Sequence, residues 1–121
     1  MSKKASHFCI GVADMEKAVS FYRDIIGLKV LYKTSEWSEL ELSKDMSLAL
    51  RVRKKEEAIN YSSIGFSVDD CEKETKEIEG KGVEMVIRCH QRKANTADDS
   101  QVILSQFKDM DGNIIWLSQQ I

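Results

Sequence analysis

Proline is absent from this 121-residue chain, where average usage would be about 5%, and nothing else in the pattern accounts for its absence. Cysteine is scarce and odd in number. Cys9, Cys71 and Cys89 lack the paired close spacing of a disulfide framework or a zinc knuckle, which points to reduced thiols. No apolar run approaches the roughly 18 residues that a spanning helix requires. Met1-Ser2-Lys3-Lys4 leads to His7 and Asp14 rather than to a signal-peptide core, so no membrane partner and a cytoplasmic location are expected. Nor is there an excess of one charge. The 18 Lys and Arg are interspersed with 20 Asp and Glu for a net charge of -2, which leaves no sustained positive field for a nucleic-acid backbone.

What is present is 42% apolar and 31% charged residues, enough for a single domain, 1-121, that buries about two-thirds of its unfolded surface. Disorder, collagen-like repeats and a multi-domain enzyme are excluded on those grounds. The chain also repeats itself. Val12-Ala13-Asp14-Met15-Glu16-Lys17 aligns with Val68-Asp69-Asp70-Cys71-Glu72-Lys73 at an offset of 56, with four identities in six. Before each copy lies an alternating stretch. Phe8, Ile10 and Val12, and likewise Ile64, Phe66 and Val68, share one face by the two-residue strand period. After each comes an Asp suited to cap a helix N-terminus. The first helix carries Met15, Ala18, Val19, Tyr22, Ile25 and Ile26 at helical spacing and stops at Gly27, whereas the second has only Cys71, Thr75 and Ile78 before Gly80 and Gly82.

Three strand-like segments follow each helix. They lie near Lys29 to Thr34, Trp37 to Leu42 and Ser47 to Arg53, then near Val83 to Cys89, Gln101 to Phe107 and Asn113 to Ser118. A polar loop is expected from Gln91 to Ser100, a turn at Asp111-Gly112-Asn113, and a solvated connector at Lys54-Lys55-Glu56-Glu57-Ala58. The unit is βαβββ, present twice, in modules of about 1-58 and 59-121.

The string His7-Phe8-Cys9-Ile10-Gly11-Val12-Ala13-Asp14, then Ala18, Phe21-Tyr22 and Ile26-Gly27, resembles the opening of the glyoxalase/bleomycin-resistance/dioxygenase group, the vicinal oxygen chelate superfamily. Phe107-Lys108-Asp109-Met110-Asp111-Gly112-Asn113 resembles that family's Phe-x-Asp-Pro-Asp-Gly-Asn, with Met110 in place of proline. The resemblance implies an α+β fold in which two βαβββ modules curl into an open half-barrel with helices outside, and a homodimer. It also implies a divalent metal held by ligands on the first and last strand of each module, acting as a Lewis acid on two neighbouring substrate oxygens. Of those four positions His7 can ligate. Ser63 is a poor ligand, and Ala49 and Trp116 cannot coordinate a metal.

Strand alternation gives a second set of side chains, on the face away from the helices: His7, Cys9, Gly11, Ser47, Ala49, Arg51, Ser63, Gly65, Ser67, Ile114, Trp116 and Ser118. Most are small, so this face has room for a ligand. Trp116 offers a stacking surface or packs in a core or dimer interface, and Arg51 offers a fork for an anion or, with Arg53, a solvated strand edge. His7 is a titratable group, either catalytic or structural. Cys9 reads as a small hydrophobe, and Cys89-His90 as the end of a strand.

Three readings follow. The first is a protein with a degenerate metal site and no cofactor, binding a small planar, anionic molecule through His7, Arg51, Ser63 and Trp116. It would be similar to the family's drug-sequestering members, although the weak net charge argues against a cationic drug. The second is an enzyme: a metal-dependent lyase or dioxygenase using His7 with a displaced carboxylate such as Glu41, or a metal-independent acid–base catalyst using His7. The third is a non-catalytic interaction module.

Overall fold

A computed structural model describes residues 5–53, 62–93 and 101–121; the expected connector at 54–58 and the 94–100 part of the polar loop lie outside the described residues. The chain divides into two compact units, Met1–Asn60 and Tyr61–Ile121. The first runs β1 (His7–Val12), α1 (Met15–Ser20), continued by a π-helical stretch Phe21–Ile26, β2 (Val30–Lys33), β3 (Trp37–Ser43) and β4 (Met46–Val52). The second runs β5 (Ser63–Ser67), α2 (Cys71–Gly80), β6 (Ile87–Lys93), β7 (Gln101–Lys108) and β8 (Ile114–Gln120). Each is βαβββ, as the repeat predicts, and each folds into an open four-stranded sheet, ordered β1-β4-β3-β2 or β5-β8-β7-β6. The first and last strand of each unit pair in parallel, and the other pairings are antiparallel.

The repeated Asp explains the repeated helix start. Asp14 and Asp70 adopt extended backbone, and each carboxylate accepts the N–H three residues on, from Lys17 and Lys73, at 3.1 Å in both units. Such a cap contributes about 1 kcal/mol. Met15, Ala18 and Val19 are buried as expected, but the helix then widens so that the Gly27 N–H reaches the Tyr22 carbonyl, five residues back. Phe21, outside the expected stripe, is buried with Tyr22, while Ile25 and Ile26 are only half-buried. Gly27 closes the turn at φ +93, a left-handed conformation that favours glycine. In α2 the buried residues are Cys71, Thr75 and Ile78, the stripe read from the sequence.

α1 packs on β4 and β3, covering Ile10, Val12, Leu40, Leu48 and Leu50. α2 packs on β8, β7 and β6, over Ile64, Phe107, Ile115 and Leu117. Of the expected core face, Phe8 is instead exposed, and Val52, Phe66 and Val68 are half-buried. The sixth strand also departs from expectation. It starts at Ile87 rather than near Val83 and runs on through Gln91 to Lys93, which polarity marks as loop. As an edge strand it pairs only with β7, so its outer side meets solvent and tolerates polar residues.

The closing motif is structural. Asp109, buried between β7 and β8, accepts the N–H groups of Asp111 and Asn113 at 2.9 Å each on one carboxylate oxygen and the Asn113 side-chain amide at 2.8 Å on the other. Asn113 in turn accepts the Ser62 N–H at 3.1 Å, tying the turn to the chain just before β5. Gly112 takes φ +85 inside this turn. Met110, at the position where the family motif has proline, is exposed. Replacing Asp109 with Ala leaves three donors unmet and is expected to cost about 2 kcal/mol, a fall of roughly 8 °C in the thermal midpoint. The control Met110→Ala should stay within about 0.5 kcal/mol. Equal midpoints for the two variants would overturn this assignment.

Candidate functional site

The sheet face of the first unit that α1 leaves open is organised in three cross-strand rows. Pairing across β1, β4 and β3 sets His7, Ser47 and Glu41 in one row, Cys9, Ala49 and Glu39 in the next, and Gly11, Arg51 and Trp37 in the third. Tyr32 on β2 stands opposite Glu39. Directly paired residues share a face, so six residues expected on this surface, His7, Cys9, Gly11, Ser47, Ala49 and Arg51, are joined by Trp37, Glu39, Glu41 and Tyr32.

Glu39 is the hub. Ser47 Oγ donates to its Oε1 at 2.5 Å, Trp37 Nε1 donates to Oε2 at 2.9 Å, and the Tyr32 hydroxyl donates to the same Oε2. Hydrogen bonds from Ser47, Trp37 and Tyr32 favour the ionised form and, with a smaller contribution from nearby His7, hold the Glu39 carboxyl down to about 2. The same bond pushes the Tyr32 phenol up. His7, exposed, sets its ring edge-to-face against Trp37 with centroids 5.8 Å apart, and its Nδ1 lies 3.0 Å from Ser6 Oγ. Glu41 is exposed on the His7 row.

Beyond the third row lies a cavity of about 410 Å³ lined by Glu36, Trp37, Arg51, Val52 and Arg53. The Arg53 side chain crosses over Gly11, where an added Cβ would sit 2.5 Å from Arg53 Cγ. Glycine there allows this close approach, and a larger residue would force the Arg53 side chain to shift. Arg51 stands directly opposite Trp37.

In the second unit Ser63 pairs with Ile114, and Gly65 with Trp116. Ser63 is exposed and Trp116 half-buried beside the Gly65 backbone. Cys9 pairs with Ala49 as Gly65 pairs with Trp116, so the strand registers make Ala49 and Trp116 equivalent, in agreement with the sequence alignment. Cys89-His90 does not end a strand: β6 passes through it. Among the described residues no three His, Cys, Asp or Glu side chains gather into a cation-sized cluster, and no helix is long and apolar enough to cross a membrane.

Sequence reasoning missed Trp37 and Tyr32 and did not single out Glu39 as the acceptor of their hydrogen bonds. The signal was available in Trp37-Ser38-Glu39-Leu40-Glu41, where Ser38 and Leu40 are buried on the helix side, leaving the odd-numbered residues on the open face.

The family model for the Glyoxalase/Bleomycin resistance protein/Dioxygenase superfamily matches residues 4–117. Among solved structures, an integron cassette protein from the V. Cholerae mobile metagenome is similar at 21% identity, covering 98% of this chain and 96% of that one, with a TM-score of 0.75. The antibiotic binding protein TnmS3 from Streptomyces sp. CB03234 is 23% identical over 100% and 99% of the two chains, with a TM-score of 0.76. A lactoylglutathione lyase from Agrobacterium tumefaciens is 16% identical over 98% and 94%, with a TM-score of 0.72. At these identities the likeness is one of fold.

Because the folded-state pKa of Glu39 lies below its ordinary value of 4.5, its contribution to stability is present above that value and is lost as pH falls toward about 2. Wild type should therefore lose stability relative to Glu39→Gln between pH 5 and pH 2, with a matching change in indole emission as the Trp37 bond weakens. Parallel acid-unfolding curves for the two proteins would refute the network.

Proposed function

The chain belongs to the Glyoxalase/Bleomycin resistance protein/Dioxygenase superfamily, and we propose that within it the protein binds a small planar, anionic molecule on its open sheet face without using a resident divalent metal. One observation carries the reading. Glu39 takes the only polar side-chain atom of Trp37, so the indole offers a ligand its apolar ring, and Arg51, its cross-strand neighbour, lines the same cavity. A flat ring over Trp37 with an acidic group toward Arg51 engages both side chains. Arg53 lines the cavity too, against one carboxylate, Glu36. His7, with its ring T-shaped against Trp37, is assigned to ligand contact in the same unit; Ser63 and Trp116 are assigned to ligand contact on the sheet of the second unit.

The metal reading is tested by the donor set. The four positions at which the family holds its cation are an imidazole, a methyl, a hydroxyl and an indole: His7, Ala49, Ser63 and Trp116. A methyl group and a neutral indole offer no lone pair, and an un-ionised hydroxyl is a weak donor to a divalent cation. Ala49 is moreover fully buried. The nearest carboxylate network, at Glu39, already accepts three hydrogen bonds. These residues do not fit a divalent metal. The fold itself serves an antibiotic binding protein and a lyase alike, so it is the donor set that favours binding. A cytoplasmic homodimer goes with the reading, the location supported by three cysteines that are all free thiols.

The test is titration with 1-naphthoate, a planar aromatic anion, followed by tryptophan emission, with 1-naphthylmethylamine as the cationic counterpart. Saturable quenching by the anion and none by the amine is expected. Arg51→Ala should weaken it about tenfold or more, the loss of one charge-assisted contact. Equal binding of both probes, or none of either, would overturn the proposal. Elemental analysis of the purified protein should find far less than one divalent ion per chain, and a stoichiometric ion would favour the metalloenzyme reading.

A further inference from the structure

Two of the three cysteines meet at one buried hydroxyl, in the second unit and on the opposite side of its sheet from Trp116. Ser105 Oγ lies 3.4 Å from Cys71 Sγ and 3.6 Å from Cys89 Sγ, so the one hydroxyl holds the sulfurs no more than about 7 Å apart. The same hydroxyl accepts the Cys89 N–H at 2.9 Å and lies 2.8 Å from Thr75 Oγ1, so it has a partner to keep if it leaves the space between the sulfurs.

The backbone at Cys89 is unusual. Between the pairs Ile87–Gln106 and His90–Leu104 the register slips, so Arg88 and Cys89 together face Ser105, and Cys89 takes up this bulge with φ +47. That left-handed conformation suits glycine and is strained for a residue with a side chain. Here it turns a partly accessible thiol toward the buried Cys71 at the first turn of α2.

We propose that Cys71 and Cys89 form a redox-modification site, closing an intramolecular disulfide on exposure to hydrogen peroxide and so tying the start of α2 to the bulge in β6. The Cys89 sulfur attacks the peroxide, breaking its O–O bond, to give a sulfenic acid and one water. The Cys71 sulfur then attacks that sulfenic sulfur, forming the S–S bond and releasing the second water. Two thiols are oxidised and one peroxide is reduced. Burial, and then the Glu72 carboxylate, push the Cys89 thiol up, so the first step should accelerate as pH rises from 7 to 9. Cys9, exposed in the first unit, has no such partner and serves as the internal control.

The test treats the full chain with hydrogen peroxide, blocks remaining thiols with iodoacetamide after unfolding, and maps unreduced peptides by mass spectrometry. The expected product is one linked pair containing Cys71 and Cys89, two hydrogens lighter than the reduced peptides, unchanged in Cys9→Ser and reversed by a thiol reductant. In Cys71→Ser the Cys89 sulfenic acid should instead be trapped by dimedone. Full alkylation of Cys71 and Cys89 after peroxide would overturn the assignment. So would Cys89 recovered only as sulfinic or sulfonic acid beside an alkylated Cys71, or links found only between chains.

Discussion

Everything in each unit follows from the parallel pairing of its first and last strand. A parallel neighbour cannot be reached by a tight turn, so the chain must cross over, and the crossover carries the helix to one side of the sheet. That side becomes core: Ile10, Val12, Leu48 and Leu50 under α1, Ile64, Ile115 and Leu117 under α2. The other side is left with residues of opposite parity. With β1 locked to β4 from His7–Ser47 through Val12–Val52, a slip of one residue would exchange the two faces. The hydrophobic set therefore specifies the open face by exclusion.

On that face the first unit carries a carboxylate stabilised by neutral donors, and no cation-sized cluster among the described residues. A metal site keeps open positions and several lone pairs pointing at one point. Glu39 does the reverse, with a serine, an indole and a phenol pointing at the carboxylate. Such an anion is a poor proton acceptor near neutral pH, and its effect is architectural, fixing the Trp37 indole on the strand beside Arg51. His7 of the opening motif lies in the same cluster, T-shaped against Trp37.

The two units share a plan and differ in what they do with it. The first buries a broad apolar stripe and a π-helical widening, placing its polar network on the open face. The second, with Cys71 and Thr75 in its helix stripe, keeps polarity on the covered face, where Ser105 joins both thiols. The buried Ser105 hydroxyl and Cys71 sulfur are tolerated there because they pair with each other, with Thr75 and with the half-buried Cys89.

The duplication, both Asp caps, the stripes of α1 and α2 and the turn around Gly112 were legible in the sequence, because each depends on spacing within one segment. Polar Gln91 to Lys93 misled, since an edge strand makes no demand for apolar residues. The meeting of Trp37, Glu39, Ser47 and Tyr32, and that of Cys71 with Cys89, were decided only by tertiary structure. Both depend on the register between strands and on the bulge at Cys89. Local composition carries no record of register. The sequence alone thus determined which faces are apolar, through the two-residue and helical periods, while strand pairing decided which polar groups on those faces meet.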